Sequence, residues 1–78
     1  TYYIQAGRFT RKPLAYELAA ILSEKVAPAS VETTRSGSSL IHLIRVGPFR
    51  GDNEAQVTVA RLRAAGLRDA YVERFSGS

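Results

Sequence analysis

Apolar and polar residues alternate at the start of the chain. The two alternating sets are Tyr2, Ile4 and Ala6 on one side and Tyr3, Gln5 and Gly7 on the other. A period of two residues is typical of a β-strand that buries one of its faces. The first segment is therefore predicted to be a half-buried strand.

Apolar residues then recur at helical spacing up to about Lys25. They are Leu14, Leu18, Ile21 and Leu22. Thr10 is a candidate N-cap for this helix, and Pro13 is tolerated in its first turn. Pro28 prevents the helix from continuing. A shorter β-type run, SVETTR, follows and leads to a turn signal, SGSS, around Gly37.

The second half repeats this plan. The run from Leu40 to Val46 is apolar on both faces apart from His42 and Arg45, which indicates a central strand. A second helix is predicted from an N-cap at Asp52, and its inward-facing residues are Ala55, Val59 and Leu62. Gly66 stands where a left-handed C-terminal cap belongs. The last run, DAYVERF, is predicted to be a strand.

The two halves also share a motif. YIQAGRF, from Tyr3 to Phe9, matches LIRVGPF, from Leu43 to Phe49, at an offset of 40 residues. A tandem strand-helix repeat explains this match. The predicted fold is α+β with the order β-α-β-β-α-β, the split β-α-β arrangement, in which a four-stranded antiparallel sheet carries both helices on one face.

Such a sheet leaves its other face open. Successive side chains of a strand alternate between the two faces. The residues predicted to point away from the helices are Tyr3, Gln5, Ile41, Leu43 and Arg45. The core does not explain the apolar members of this set, so the open face is the first candidate for a binding surface.

Composition limits what such a chain can do. Its 78 residues form one small domain over residues 1–78, with little core in which to bury a deep pocket. Lysine and arginine outnumber aspartate and glutamate by 11 to 7, which favours a partner with negative charge. Cysteine is absent and no apolar run is long enough to span a bilayer, so we expect neither disulfides nor membrane insertion.

The residues resemble a known family, the SPOR domain, a bacterial module that binds peptidoglycan. The resemblance rests on YYIQAGRFTRKPLAYELAAIL, IHLIRVGPFRGDNEAQVTVARLRAAGL and the tandem β-α organisation. Within the family, the chain is similar to the terminal domains of rare lipoprotein A-type lytic transglycosylases. The resemblance implies non-catalytic binding of glycan strands stripped of stem peptides. It also implies a monomer in the periplasm or cell envelope of a Gram-negative-type bacterium, as part of a larger protein that it targets to the division septum.

The resemblance also implies which residues contact the glycan. By position in the motif these are Gln5, Arg8, Ile41, Leu43 and Tyr71. Family members commonly have a small polar residue where this chain has Arg8 and an aromatic residue where it has Ile41. Tyr3 and Arg45 join the set because they share the open face. Arg8 and Arg45 could form ion pairs with the lactyl carboxylates of a stripped glycan. Gln5 could hydrogen-bond to its N-acetyl groups, and the tyrosines could pack against its sugar rings.

Other interpretations stay open for single residues. Gln5 alone would fit a solvated polar residue, and Tyr3 and Tyr71 equally fit side chains that cover the sheet edge. Phe9 and Phe49 are predicted to fill the core, and His42 to be a buried, hydrogen-bonded histidine. A solvated helix face is predicted for Arg61, Arg63 and Arg68. No metal site, cofactor or catalytic constellation is expected from one histidine and scattered carboxylates.

A second function class shares the topology. The RNA recognition motif has a related β-α-β-β-α-β order and binds single strands on its open face. Its third-strand signature needs a basic residue and a glycine followed by spaced aromatics, and LIHLIRVG reaches no phenylalanine, tyrosine or tryptophan before Phe49. We therefore expect no nucleic acid partner, and retention on stripped peptidoglycan or on RNA would separate the two classes.

Overall fold

The structure is a computed structural model that describes residues 1–75. The strands are β1 Tyr2–Phe9, β2 Ala29–Ser36, β3 Ser39–Phe49 and β4 Tyr71–Arg74, and the helices are α1 Lys12–Lys25 and α2 Asp52–Ala64. The strands form one antiparallel sheet in the order β2-β3-β1-β4. The predicted fold, with the third strand central, is confirmed. Residues 76–78 of the predicted domain lie outside the described residues.

Both helices pack on one face of the sheet, where a single core forms. From the sheet, Ile4 and Ile44 are fully buried in it. From α2, the core takes up Ala55, Val59 and Leu62, as predicted. Burying a valine or leucine side chain stabilises a fold by about 1.5–3 kcal/mol, so this face of α2 holds the helix on the sheet.

Helix α1 meets the sheet through a different row than its leucines suggest. Ala15, Ala19 and Leu22 are buried, whereas Leu14 and Ile21 are 47% and 43% exposed. The two rows are neighbours around the helix, about 100° apart. Small alanines let the backbone come close to the sheet, which turns the larger side chains outward. No helix among residues 1–75 is both long and apolar enough to cross a membrane.

The helix starts differ from the prediction. The N-caps are Arg11 and Gly51, both with extended backbone and neither with a side-chain cap hydrogen bond. The predicted caps Thr10 and Asp52 are therefore wrong, each by one residue. Asp52 is the first residue of α2, where its carboxylate still interacts favourably with the positive end of the helix dipole.

Helix α2 ends in a Schellman motif with Gly66 in the left-handed position, which confirms the cap predicted from the sequence. The Leu67 N–H donates to the carbonyl of Leu62 (2.9 Å), and the Gly66 N–H donates to that of Arg63 (3.1 Å). Gly66 has φ +116°, a region that favours glycine. The motif sets the direction in which the chain leaves α2 toward β4.

The two Gly-x-Phe segments both end a strand before a helix. Phe49 is buried in the core, and Phe9 is half-buried and packs against it. His42 is also buried, and its Nδ1 shares a hydrogen bond of 2.9 Å with the Thr33 hydroxyl. These three predictions from the sequence are confirmed.

Candidate functional site

The sheet face opposite the helices carries all seven residues that the sequence singled out. Residues paired across neighbouring strands share a face. The register therefore places Gln5, Arg45 and Tyr71 in one row across β1, β3 and β4. The adjacent row contains Arg8 and Leu43. The sheet thus brings these five residues together on its open side.

Tyr3 and Ile41 flank this pair of rows on opposite sides. Tyr3 pairs with Glu73 of β4, in the row next to Gln5. Ile41 pairs with Thr34 of β2, beyond the point where the pairing with β1 stops at Phe9 and His42. Ile41 is therefore peripheral, away from Gln5 and Tyr71.

A bulge in β1 decides which face Arg8 takes. The pairing register shifts between Gln5 and Gly7, so that Gly7 lies opposite Ile44 and Arg8 opposite Leu43. Strict alternation from Gln5 would have turned Arg8 toward the helices and Gly7 outward. The extra residue reverses this phase, so Gly7 lies on the helix side with Ile44 and Arg8 does not. The bulge brings Arg8 onto the open face.

Two of the predicted residues bond directly to each other. The Tyr71 hydroxyl donates to the Oε1 of Gln5 at 2.7 Å. This bond ties β4 to β1 on the open face and orients the Gln5 amide. Because its carbonyl oxygen already accepts from Tyr71, the amide nitrogen is the group through which Gln5 can donate to a ligand.

Arg45 lies at the centre of a compact cluster. Its guanidinium forms a salt bridge of 2.8 Å with Glu32 of β2. It also stacks over the rings of Tyr3 (5.4 Å) and Phe75 (4.9 Å), within the range of cation-π contacts. The two rings meet edge to face at 5.4 Å. These contacts hold the Arg45 side chain flat against the sheet.

A concavity lies at the other end of the open face, beside β4. It has a volume of about 280 Å³. Gln5, Arg8 and Tyr71 form its strand side, and residues 66–69 form its loop side. Arg68 therefore belongs to this loop and lines the concavity, so its predicted place on a helix face with Arg61 and Arg63 is wrong. Residue Arg63 is on α2 but donates from its Nε to the Ala70 carbonyl (2.9 Å).

Sequence reasoning missed four residues of this face. They are Glu32, Arg68, Glu73 and Phe75. For Glu73 and Phe75 a signal existed, since they continue the alternation that starts at Tyr71. Glu32 and Arg68 carried no such signal, because β2 is mostly polar on both faces and Arg68 follows a helix cap. Within residues 1–75, Glu73 Oε1 is buried without a hydrogen-bond partner.

The described residues hold no cluster of three or more histidine, cysteine, aspartate or glutamate side chains that could bind a metal ion. The open face instead offers a polar and apolar surface that carries Arg8 on β1 and Arg45 on β3, with Arg68 on the adjoining loop. Such a surface can bind an extended, amphipathic and anionic ligand by stacking, hydrogen bonds and ion pairs.

Comparison with known proteins agrees with this geometry. The family model described as SPOR domain matches residues 1–73. The chain belongs to the SPOR domain family. The crystal structure of the RlpA SPOR domain from Pseudomonas aeruginosa is similar to it, with a TM-score of 0.83 and 28% sequence identity, over 96% of this chain and 100% of that one. The predicted resemblance to the rare lipoprotein A type is confirmed by this match. No curated protein matches the chain.

Membership of the SPOR family supports peptidoglycan binding as the activity of this chain. SPOR domains are binding modules, and a non-catalytic role fits the residues described above. The similarity covers the whole sheet and both helices, since 96% of the chain is aligned. The open face is therefore a property that this chain shares with a solved SPOR domain.

Proposed function

We propose that this SPOR domain binds peptidoglycan glycan strands that lack stem peptides, and that it does so on its open sheet face. The residues proposed to contact glycan are Tyr3, Gln5, Arg8, Ile41, Leu43, Arg45 and Tyr71. The observation that carries the proposal is the open face itself: apolar and polar side chains lie in adjoining rows, and within residues 1–75 no helix covers them.

The apolar and the polar side chains of the open face match different parts of a sugar: the faces of its ring and the polar groups at the ring edge. Leu43 and the Tyr71 ring offer apolar surface to the C–H faces of sugar rings. Gln5, oriented by its bond from Tyr71, donates to N-acetyl or hydroxyl oxygens at the ring edge. An extended strand of sugars can follow the rows across the sheet, because both helices of the described part of the chain pack on the opposite face.

Charge favours the stripped form of the glycan. Removing stem peptides leaves a free lactyl carboxylate on every second sugar, whereas an intact strand has an amide there. The domain carries a net charge of +4, and Arg8 stands exposed on the binding face. A carboxylate can form an ion pair with a guanidinium through two charge-assisted hydrogen bonds, whereas a neutral amide can accept a hydrogen bond but forms no ion pair. Intact strands also bring bulky peptides that the flat face must exclude.

The biological role follows from the ligand. Glycan without stem peptides accumulates where amidases split the septum, so a domain that binds it recruits an attached protein to the division site. We place this domain in the periplasm or cell envelope, as a non-catalytic monomeric part of a larger protein. We expect no nucleic acid partner, because the third strand has a single aromatic residue, Phe49, and its side chain is buried in the core rather than available to stack on bases.

Sedimentation with purified sacculi tests the proposal. The wild-type domain is expected to co-sediment with amidase-treated sacculi, more weakly with untreated sacculi, and not to be retained on oligo-RNA. Tyr71→Ala should reduce co-sedimentation, whereas Tyr16→Ala should not. The two tyrosines form a matched pair, since Tyr71 is 44% exposed on the open face and Tyr16 is 50% exposed on α1. Equal loss for both variants, or stronger retention on RNA, would contradict the proposal.

A further inference from the structure

The concavity beside β4 is closed on one side by the loop between α2 and β4. That loop places Arg68 on the wall that faces Gln5, Arg8 and Tyr71. At about 280 Å³ the concavity lies just below the size of typical small-molecule pockets, roughly 300 Å³ and upward. It therefore fits one sugar unit with its substituent rather than a longer stretch of glycan.

The three arginines of the open face differ in how their charge is used. Arg45 is paired with Glu32 and stacked on two aromatic rings. Arg8 and Arg68 are exposed, and neither forms a salt bridge with another residue in the range 1–75. Asp69 also lines the concavity, which leaves two positive groups and one negative group there. The site of excess positive charge is thus the concavity and not the centre of the sheet.

The loop that carries Arg68 is fixed by three hydrogen-bonded features. The Schellman motif at Gly66 sets its start. The Ala70 N–H donates to the Leu67 carbonyl at 3.1 Å, which closes a tight turn with Arg68 and Asp69 at its centre. The Arg63 Nε then donates to the Ala70 carbonyl at 2.9 Å. Because this backbone is already ordered, Arg68 can bind a ligand with little loss of loop entropy.

From these observations we infer that Arg8 and Arg68 together form a carboxylate subsite that binds the lactyl group of one sugar. Arg45, which is paired with Glu32, lies outside this subsite. Two guanidinium groups on opposite walls can each donate to a carboxylate, and Asp69 offers an acceptor to hydroxyls of the same sugar. This inference rests on the proposed function, and it assigns the anion contact to a loop outside the sheet.

Calorimetric titration with two ligands tests the subsite. One ligand is a peptide-free tetrasaccharide with free lactyl carboxylates, and the other is the same tetrasaccharide with these groups amidated. For the carboxylate form, Arg68→Ala is expected to raise the Kd about fivefold to tenfold at low salt. For the amidated form the change should stay below about twofold, since no charge pairing is lost.

Arg61→Ala is the matched control, because Arg61 is also exposed and lies on α2 away from the concavity. It should change neither Kd by more than about twofold. Arg68→Gln is a second variant that retains a polar side chain, and it should lose affinity for the carboxylate ligand as Arg68→Ala does. Thermal unfolding of each variant checks that it is folded.

Four outcomes separate this inference from the proposed function. If the wild-type domain binds neither tetrasaccharide, the proposed function fails and the subsite fails with it. If the wild type binds but both Arg68 variants match it, the subsite alone is overturned. An equal loss on both ligands also overturns it, because Arg68 would then contact a group other than the carboxylate. A loss confined to the carboxylate ligand supports it.

Discussion

At the scale of residues, the open face contains polar groups that are already bonded within the domain and others that remain for a ligand. The Gln5 carbonyl accepts from Tyr71, and Arg45 is paired with Glu32. A group bound internally has fewer donors or acceptors left for a partner, which lowers its contribution. The exposed Arg8 has no internal partner of this kind within residues 1–75. Residue type alone therefore does not tell which side chains contribute most to binding.

Gln5→Lys tests the role of the oriented amide. The substitution removes the acceptor of the Tyr71 hydroxyl and places a flexible cation at the centre of the site. Co-sedimentation with amidase-treated sacculi should fall, while the free energy of unfolding should fall by no more than about 1.5 kcal/mol, the net value of the lost hydrogen bond from Tyr71. Gln56→Lys is the control, since Gln56 is an exposed glutamine on α2. Equal binding by folded Gln5→Lys and wild type would remove Gln5 from the site.

Glu32→Gln tests whether Arg45 is neutralised by its partner. Loss of the salt bridge frees positive charge on the open face, so the Kd for peptide-free glycan should fall about twofold to threefold at low salt and return to the wild-type value at high salt. Glu24→Gln makes the same change in net charge on α1, where Glu24 is exposed. If both variants gain equally, the effect is one of total charge and the local pairing is irrelevant.

At the scale of elements, sequence periodicity predicted every strand and helix. It did not predict the local irregularities that determine which face of an element a side chain takes. Alternation placed Ile4 and Ala6 correctly, and both are buried. It failed at the bulge after Gln5, because an inserted residue leaves no mark in a pattern of hydrophobic and polar positions. Arg8 reached the correct face only through its match to a family motif.

The two helices also differ in how well periodicity predicted their buried residues. In α2 the buried residues Ala55, Val59 and Leu62 recur at helical spacing, so periodicity identified the buried row. In α1 the buried row contains Ala15 and Ala19, which a search for large apolar residues overlooks. The loop position of Arg68 could not be predicted either, because it depends on where the Schellman motif ends the helix and on the bond from Arg63.

Two glycines allow a graded test of these elements. Gly66 has φ +116° with open space around its Cα, whereas Gly47 has φ +131° and a Cβ there would lie 3.1 Å from the Tyr2 carbonyl oxygen. Gly66→Ala should lower the free energy of unfolding by about 1–2 kcal/mol through backbone strain. Gly47→Ala should lower it by roughly 1–3 kcal/mol more through crowding. Urea denaturation measures both, and equal losses would show that crowding at Gly47 is relieved.

At the scale of the whole molecule, the binding mode follows from a two-layer architecture. The described part of the chain is only 19 Å across in its shortest dimension, with both helices on one side of the sheet. Two layers of this size enclose one core and no deep pocket. A large ligand must therefore bind on the surface, and the uncovered sheet is the surface that the fold leaves for it. Fold class and face could be predicted from the sequence because they depend only on element order.

An NMR titration of the isotope-labelled domain with peptide-free tetrasaccharide tests the central claim most directly. The backbone amides of β1, β3 and β4 and of residues 66–69 should shift on binding, while those of α1 should not. The same titration with a tetrasaccharide that carries its stem peptides should give smaller shifts at equal concentration. Shifts concentrated on the helices, or equal responses to both ligands, would contradict the account.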